Sequence, residues 1–106
     1  MSAVWIYVTA ADRSEAEKIG RAMVEARLAA CANVLGETTA IYWWDGAVES
    51  GAEAALVLKS RAELVDEITR AIGDIHSYDC PCIVALPIAG GNPEFLSWLE
   101  SETRPA

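Results

Sequence analysis

The chain has 106 residues, of which 53% are apolar, and a formal net charge of −8. This length predicts one domain over residues 1–106, and the apolar content with four tryptophans favours burial of some surface against another subunit. The acidic excess repels phosphate backbones and anionic lipid headgroups, so we expect neither nucleic acid nor a membrane as a partner.

Targeting and redox features favour the cytoplasm. Residues 1–9 have the character of a strand rather than of a signal peptide, and no apolar run reaches about 18 residues. The three cysteines are too few, and odd in number, for a disulfide scaffold. Reduced thiols in a cytoplasmic protein are the simpler expectation.

The first third of the chain predicts a strand followed by a helix. Residues 3–9 form a short run of apolar, β-branched and aromatic residues, which is typical of a buried strand. Asp12 with Glu15 three positions later resembles a capping box that opens a helix. The helix then shows apolar residues at helical spacing, namely Ala16, Ile19, Gly20, Met23, Val24 and Leu28.

Two long strands joined by a tight turn follow. Extended character covers residues 31–44 and is interrupted at Gly36, which indicates a bulge or a bend. Asp45 and Gly46 form a dipeptide that accepts positive φ at both positions, as a two-residue hairpin turn requires. The chain is then expected to return over residues 47–59.

The last third predicts a helix, a strand and a short final helix. Ser60 and Glu63 give a second S-x-x-E start for a helix that closes near His76. Residues 82–86 form a fourth strand, which ends at Pro87. The final helix has Asn92 as its cap and Pro93 at its first position, and its expected buried residues are Phe95, Leu96, Trp98 and Leu99. The residues after it, through Pro105, are expected to fray.

This order of elements predicts an α+β protein with the ferredoxin-like split βαβ fold (βαββαβ). Such a fold has one antiparallel sheet, two helices on one face and, here, an added short C-terminal helix. Since no further helix remains to cover the second face of the sheet, that face is either solvated or packed on a partner.

Several stretches together resemble the CutA family of divalent-cation-tolerance proteins. The resemblance rests on residues 7–10, 24–33, 41–46, 53–59, 76–78, 83–88 and 91–98. It implies a homotrimer built through the long central strands, tolerance to copper and other divalent cations, no assigned catalytic reaction, and a relation to trimeric PII proteins. The chain departs from the family pattern at Ser77, where proline is usual, and at Cys82, where glutamate is common.

The resemblance also implies metal ligands. Cys31 stands where the family has a cysteine linked to copper, and His76 matches the family's late histidine. Thiolate sulfur favours Cu(I), while imidazole suits copper and zinc. The alternative for Cys31 is a small buried residue between a helix and a strand. The alternative for His76 is an interaction with the last carbonyls of its helix.

Cys80 and Cys82 form a C-x-C pair around Pro81. On a strand, residues two apart point to the same face, so the two thiols are expected side by side. Such a pair can hold one soft ion, whereas a complete zinc site normally needs four ligands. Two buried thiols without a metal are the alternative.

Three functions remain open from the sequence. The first is a metal-binding trimer that uses copper, either Cu(I) or Cu(II), or another divalent ion such as zinc. The second is a PII-like sensor that binds a small anion between subunits, although Asp45-Gly46 leaves no long loop between the central strands. The third, an acylphosphatase-like hydrolase, lacks the expected anion-binding loop at residues 10–13. Glu53 is expected to be solvated, and Trp43 and Trp44 favour interface packing over a ligand platform.

Overall fold

The computed structural model describes residues 2–105. Its elements are, in chain order, β1 (Ala3–Ala10), α1 (Arg13–Glu25), β2 (Cys31–Trp44), β3 (Ala47–Arg61), a 3₁₀ turn (Ala62–Leu64), α2 (Val65–Ile75), β4 (Ile83–Pro87) and α3 (Pro93–Ser101). The strands form one antiparallel sheet in the order β2-β3-β1-β4, which confirms the predicted ferredoxin-like fold. Within residues 2–105, no helix has the length and apolarity needed to cross a membrane.

The core lies between one face of the sheet and the helices α1 and α2. Alternate residues of β1 and β3 meet the apolar stripes of both helices there, because side chains repeat every two residues on a strand and every three or four on a helix. Burial of each such side chain contributes about 1.5–3 kcal/mol before the loss of conformational entropy is subtracted. The largest fully buried members are Ile6, Val8, Ile19, Leu56, Leu58, Leu64, Ile68 and Ile72.

The predicted helix start at Asp12 is confirmed. The Asp12 carboxylate accepts a hydrogen bond from the Glu15 N–H at 2.8 Å, and the Glu15 carboxylate accepts one from the Ala11 N–H at 2.8 Å. The first bond satisfies a backbone donor that the first turn of a helix leaves without a partner, and the second holds the residue before the cap.

The β2–β3 hairpin extends well beyond the rest of the sheet. Its turn has φ values of 50° at Asp45 and 81° at Gly46, as predicted. The pairs from Thr38–Glu53 to Trp44–Ala47 lie past Ala10, the last residue of β1 in the sheet. We call residues 38–53 the protruding hairpin.

The bulge predicted at Gly36 is confirmed. Val34 stands opposite Leu56, but Gly36 stands opposite Ala55, so one extra residue lies on β2 between these pairs. Gly36 has φ of 99°, a backbone conformation that favours glycine. Directly opposed residues of antiparallel strands share a face. The face that odd-numbered residues of β2 occupy before the bulge is therefore occupied by even-numbered residues after it.

The predicted role of Ser60 as a helix cap is wrong. Ser60 pairs with Val4 inside the sheet, and its buried hydroxyl donates to the Leu28 carbonyl at 2.5 Å. The strand therefore continues to Arg61, and α2 begins at Val65 without a side-chain cap.

The prediction for α3 is only partly correct. Asn92 caps the helix, its side chain accepting from the Glu94 N–H at 3.0 Å. Leu99 is buried, whereas Phe95 and Trp98 are 39% and 41% exposed. We define the sheet face opposite α1 and α2 as the open face. Helix α3 crosses one end of the open face and covers it with a single row of side chains, so its other apolar residues remain partly exposed.

The residues after α3 are packed rather than frayed, so that expectation is wrong through Arg104. Thr103 is buried, and its hydroxyl accepts a hydrogen bond from the Arg61 guanidinium at 2.9 Å. The Arg104 N–H donates to the Arg27 carbonyl at 2.8 Å, and the Arg104 side chain pairs with Glu67. These contacts join the end of α3 to α1, α2 and β3.

Candidate functional site

A cavity of about 760 Å³ lies on the open face, beside the base of the protruding hairpin. Its floor includes Tyr7 of β1, Tyr42 of β2 and Glu53 of β3, and its wall is the segment 78–82 between α2 and β4. Glu53 and Asp79 are its charged lining residues, so the cavity carries negative charge at neutral pH. We call it the open-face cavity.

Two of the predicted metal ligands, Cys80 and Cys82, line the open-face cavity. Both are exposed and both are free thiols, so the alternative of two buried thiols is not what the structure shows. The predicted strand over residues 82–86 begins one residue later, at Ile83, which leaves both cysteines in the preceding loop. Both residues therefore reach the cavity from the loop, and strand alternation does not place them there.

Cys31 lies elsewhere. It is the first residue of β2, is partly buried, and lines a separate groove of about 680 Å³ between α1 and β2. Lys18 and Arg21 line that groove as well, together with Glu17 and Glu25. The three cysteines are thus divided between two places on the subunit.

His76 ends α2, and both nitrogens of its imidazole are hydrogen-bonded. The ring has no exposed surface. Nε2 lies 2.8 Å from the Thr9 carbonyl, which can only accept, and Nδ1 accepts from the Tyr78 N–H at 3.0 Å. The ring is therefore neutral with its proton on Nε2, and it offers no free lone pair to a metal in this arrangement.

The four predicted ligands do not form one centre inside a subunit. Within residues 2–105, no three side chains of histidine, cysteine, aspartate or glutamate converge closely enough to hold a single metal ion. The donor set that fits a metal best is the Cys80–Cys82 pair, because both residues are exposed in this subunit and line the same cavity.

Glu15 joins α1 to the segment after α2, a role that goes beyond its cap. Its carboxylate accepts from the Ser77 N–H at 2.7 Å and from the Ser77 hydroxyl at 2.9 Å, in addition to Ala11. Burial alone would raise the pKa of Glu15, but the hydrogen bonds from Ala11 and Ser77 hold the pKa below its ordinary value. The sequence shows the cap, but nothing in it indicates a partner 62 positions away.

Tyr78 fixes the wall of the open-face cavity. Its hydroxyl donates to the Glu53 carboxylate at 2.8 Å, and its ring centroid lies 4.8 Å from that of His76. Burial, with the Glu53 hydrogen bond and charge, raises the pKa of Tyr78 to about 12. Glu53 was expected to be solvated, and sequence reasoning missed this pair because its members lie on different elements.

The protruding hairpin exposes large apolar side chains. Trp43 is 75% exposed and Ile41 is 73% exposed, and Trp44 and Val48 are also largely exposed. Moreover, β2 and β4 are the two edges of the sheet, so each has one side without a strand partner in this subunit. Exposed apolar surface beside unpaired strand edges is typical of a surface that meets another chain.

Taken together, these features define a small ferredoxin-like α+β protein with an overlong central hairpin. Residues 4–102 match the family model described as CutA1 divalent ion tolerance protein. The chain therefore belongs to the CutA1 family, as its resemblance implies.

Individual relatives agree with this assignment. The chain is 40% identical to the divalent-cation tolerance protein CutA of Archaeoglobus fulgidus, over 91% of this chain and 93% of that one. It is 37% identical to the chloroplastic protein CutA 1 of rice over 93% of its length, but spans only 56% of that relative and 54% of the Arabidopsis thaliana one. The crystal structure of CutA1 from Oryza sativa superimposes with a TM-score of 0.97 at 35% identity, covering 100% of this chain and 97% of that one.

Proposed function

We propose that this chain is a divalent-cation tolerance protein that acts as a metal-binding homotrimer in the cytoplasm and catalyses no reaction. Membership of the CutA1 family supports the tolerance function, since the Archaeoglobus fulgidus relative carries that name. Copper is the metal that we propose first, because accessible thiols are the donors that this subunit offers.

The main observation that supports a trimer is the protruding hairpin. Burying Ile41, Trp43, Trp44 and Val48 removes large apolar surface from water, at about 25 cal/mol per Å². The free edges of β2 and β4 supply backbone donors and acceptors that a neighbouring strand can pair. Cyclic symmetry closes such an assembly, and the family resemblance supports three copies.

The assembly is tested by light scattering at micromolar concentration. We expect a mass of three times the 11.4 kDa chain. The variant Ile41→Ser/Trp43→Ser should lower that mass, while Val24→Ser, which changes an exposed apolar residue on α1, should leave it unchanged. A monomeric wild-type protein would overturn the proposed assembly.

The metal is tested by calorimetric titration of the reduced trimer with Cu(I), Cu(II) and Zn(II). We expect Cu(I) to bind most tightly, because two accessible thiolates suit a soft ion and do not complete a four-ligand zinc site. In a host made copper-sensitive by loss of its own tolerance protein, expression of this chain should restore growth on copper. Absence of both effects would refute the tolerance proposal.

The PII-like alternative receives less support. PII proteins carry a long loop between their central strands, whereas here Asp45 and Gly46 join β2 to β3 directly. Lys18 and Arg21 could attract an anion to the groove beside α1, but Glu17 and Glu25 line the same groove and offset that charge.

A further inference from the structure

We propose that Cys80 and Cys82 form a two-coordinate site for one Cu(I) ion per subunit, to which neither Cys31 nor His76 contributes. The inference rests on the proposed metal-binding function and specifies its ion and its donor atoms. It begins from the separation of the candidate ligands, which places two thiols together and the other two donors elsewhere.

The spacing of the two cysteines suits one ion held between them. One residue separates them, and each residue advances an extended chain by at most about 3.3–3.6 Å, so their Cα atoms lie within about 7 Å. Pro81 stands between them and fixes its own φ near −65°, which removes much of the freedom that a C-x-C loop would otherwise have. Less entropy is therefore lost when both sulfur atoms turn toward one ion.

The wall that carries the pair is held in place. Tyr78 begins this segment, and it is tied to β3 through Glu53 and to the end of α2 through the His76 ring. On the other side, β4 begins at Ile83, which pairs with Val8 of the central strand β1. Both ends of the short segment are thus anchored, so the thiols stay at the open-face cavity.

The number of donors selects the ion. Cu(I) has a filled d shell, prefers thiolate sulfur and is satisfied by two such ligands in a linear arrangement. Zinc needs four ligands, and no third histidine, cysteine or carboxylate joins the pair within residues 2–105. Two sulfur donors are therefore enough for Cu(I) and too few for zinc or Cu(II).

The charge of the cavity also favours a cation. Glu53 and Asp79 line it, and no lysine or arginine is among the described lining residues. A concave surface with one sign of charge raises the local concentration of the opposite ion. The bound ion displaces the thiol protons, so the apparent affinity should increase with pH.

His76 is excluded as a third ligand by its hydrogen bonds. Coordination through Nδ1 would leave the Tyr78 N–H without an acceptor, and coordination through Nε2 would leave the Thr9 carbonyl without a donor. Each loss would leave a partly buried backbone group without a hydrogen-bond partner, so the ring gains little by turning to a metal.

The test is a competition for Cu(I) between the reduced full-length protein and bathocuproine disulfonate, a coloured Cu(I) chelator. We expect wild-type protein and Cys31→Ser to withdraw one Cu(I) per chain. Loss of a residue that only hydrogen-bonds a metal ligand lowers metal affinity by about 10–100-fold. The variant Cys80→Ser/Cys82→Ser removes both ligands, so its affinity for Cu(I) should fall by more than about 100-fold. Copper-edge X-ray absorption of the wild-type complex should show two sulfur neighbours.

The outcomes separate this inference from the proposed function. Loss of Cu(I) uptake in Cys31→Ser, with uptake retained in the double variant, would overturn the thiol-pair site and leave the metal-binding trimer standing. Failure of wild-type protein to bind any Cu(I) would overturn both. A nitrogen neighbour in the absorption spectrum, or zinc bound as tightly as Cu(I), would likewise refute a site made of two thiolates. Circular dichroism and light scattering of each variant confirm that it retains the fold and the assembly.

Discussion

The contact between α1 and β2 makes Gly20→Ala a sharp test of the packing described above. A Cβ atom added at Gly20 would lie 3.0 Å from the Ala32 Cβ and 3.4 Å from Cδ1 of Leu56. The Ala32 methyl group is fixed to the backbone of β2, which is paired with Leu58 of β3. The close contact therefore cannot be relieved by rotating a side chain, and the helix or the strand must move.

The magnitude follows from two opposing terms. Alanine is better than glycine in a helix interior by about 0.8–1.0 kcal/mol. Overpacking of a well-packed interior costs about 1–3 kcal/mol. We expect Gly20→Ala to lower the free energy of unfolding by up to about 2 kcal/mol, since the second term exceeds the first.

Gly73 in α2 provides the matched control. Beyond its own stretch of helix, a Cβ atom added there meets no heavy atom of residues 2–105 within 4 Å, so Gly73→Ala should stabilise the protein by about 1 kcal/mol. Urea unfolding followed by circular dichroism measures both variants, at one fixed protein concentration because the stability of an oligomer depends on concentration. Adding Ala32→Gly to Gly20→Ala should recover part of the loss. Equal stabilisation by both alanine variants would refute the reasoning.

Three further predictions concern hydrogen bonds, the turn and pH. Ser60→Ala removes the donor to the buried Leu28 carbonyl and should cost about 1–3 kcal/mol in urea unfolding; an unchanged midpoint would contradict this. Gly46→Val places a β-branched residue at φ of 81° and should cost about 1–2 kcal/mol in the same assay, whereas a neutral result would show that the turn relaxes. The raised pKa of Tyr78 contributes stability that is complete below pH 10.0 and is lost as pH rises through about 12. Tyr78→Phe cannot ionise beside Glu53, so in pH-dependent melting its stability should fall less steeply at alkaline pH than that of the wild-type protein. Identical melting curves would contradict the assignment.

Features with local causes could be predicted from the sequence. Asp12 caps its helix by accepting from the N–H three residues on, Asp45 and Gly46 form their turn alone, and the bulge at Gly36 needs only a residue that tolerates positive φ. These patterns, in order, were enough to give the fold. Ser60 shows the limit, because the same residue type that caps helices lies here in a strand and bonds a carbonyl 32 positions away.

The candidate site could be predicted only as a set of residue types. Cysteine and histidine indicated metal chemistry, and the C-x-C spacing was visible. The division of Cys31 from the other two thiols could not be predicted, because it depends on how the strands and the loop before β4 are placed along the sheet. The two hydrogen bonds of the His76 ring could not be predicted either, because one of them reaches Thr9, 67 positions away.

The extra residue at the bulge determines which face of the sheet each later residue of β2 occupies. Beyond Gly36, the even-numbered residues share the face of Glu53, so Tyr42 and Trp44 line the open-face cavity and Trp43 points away. Were the ladder regular, with Leu35 opposite Ala55, the odd-numbered residues would share the face of Glu53 instead, and Trp43 would lie on the cavity side while its two neighbours pointed away. One inserted residue thus chooses which aromatic rings stand beside the thiols, although it lies outside the cavity itself.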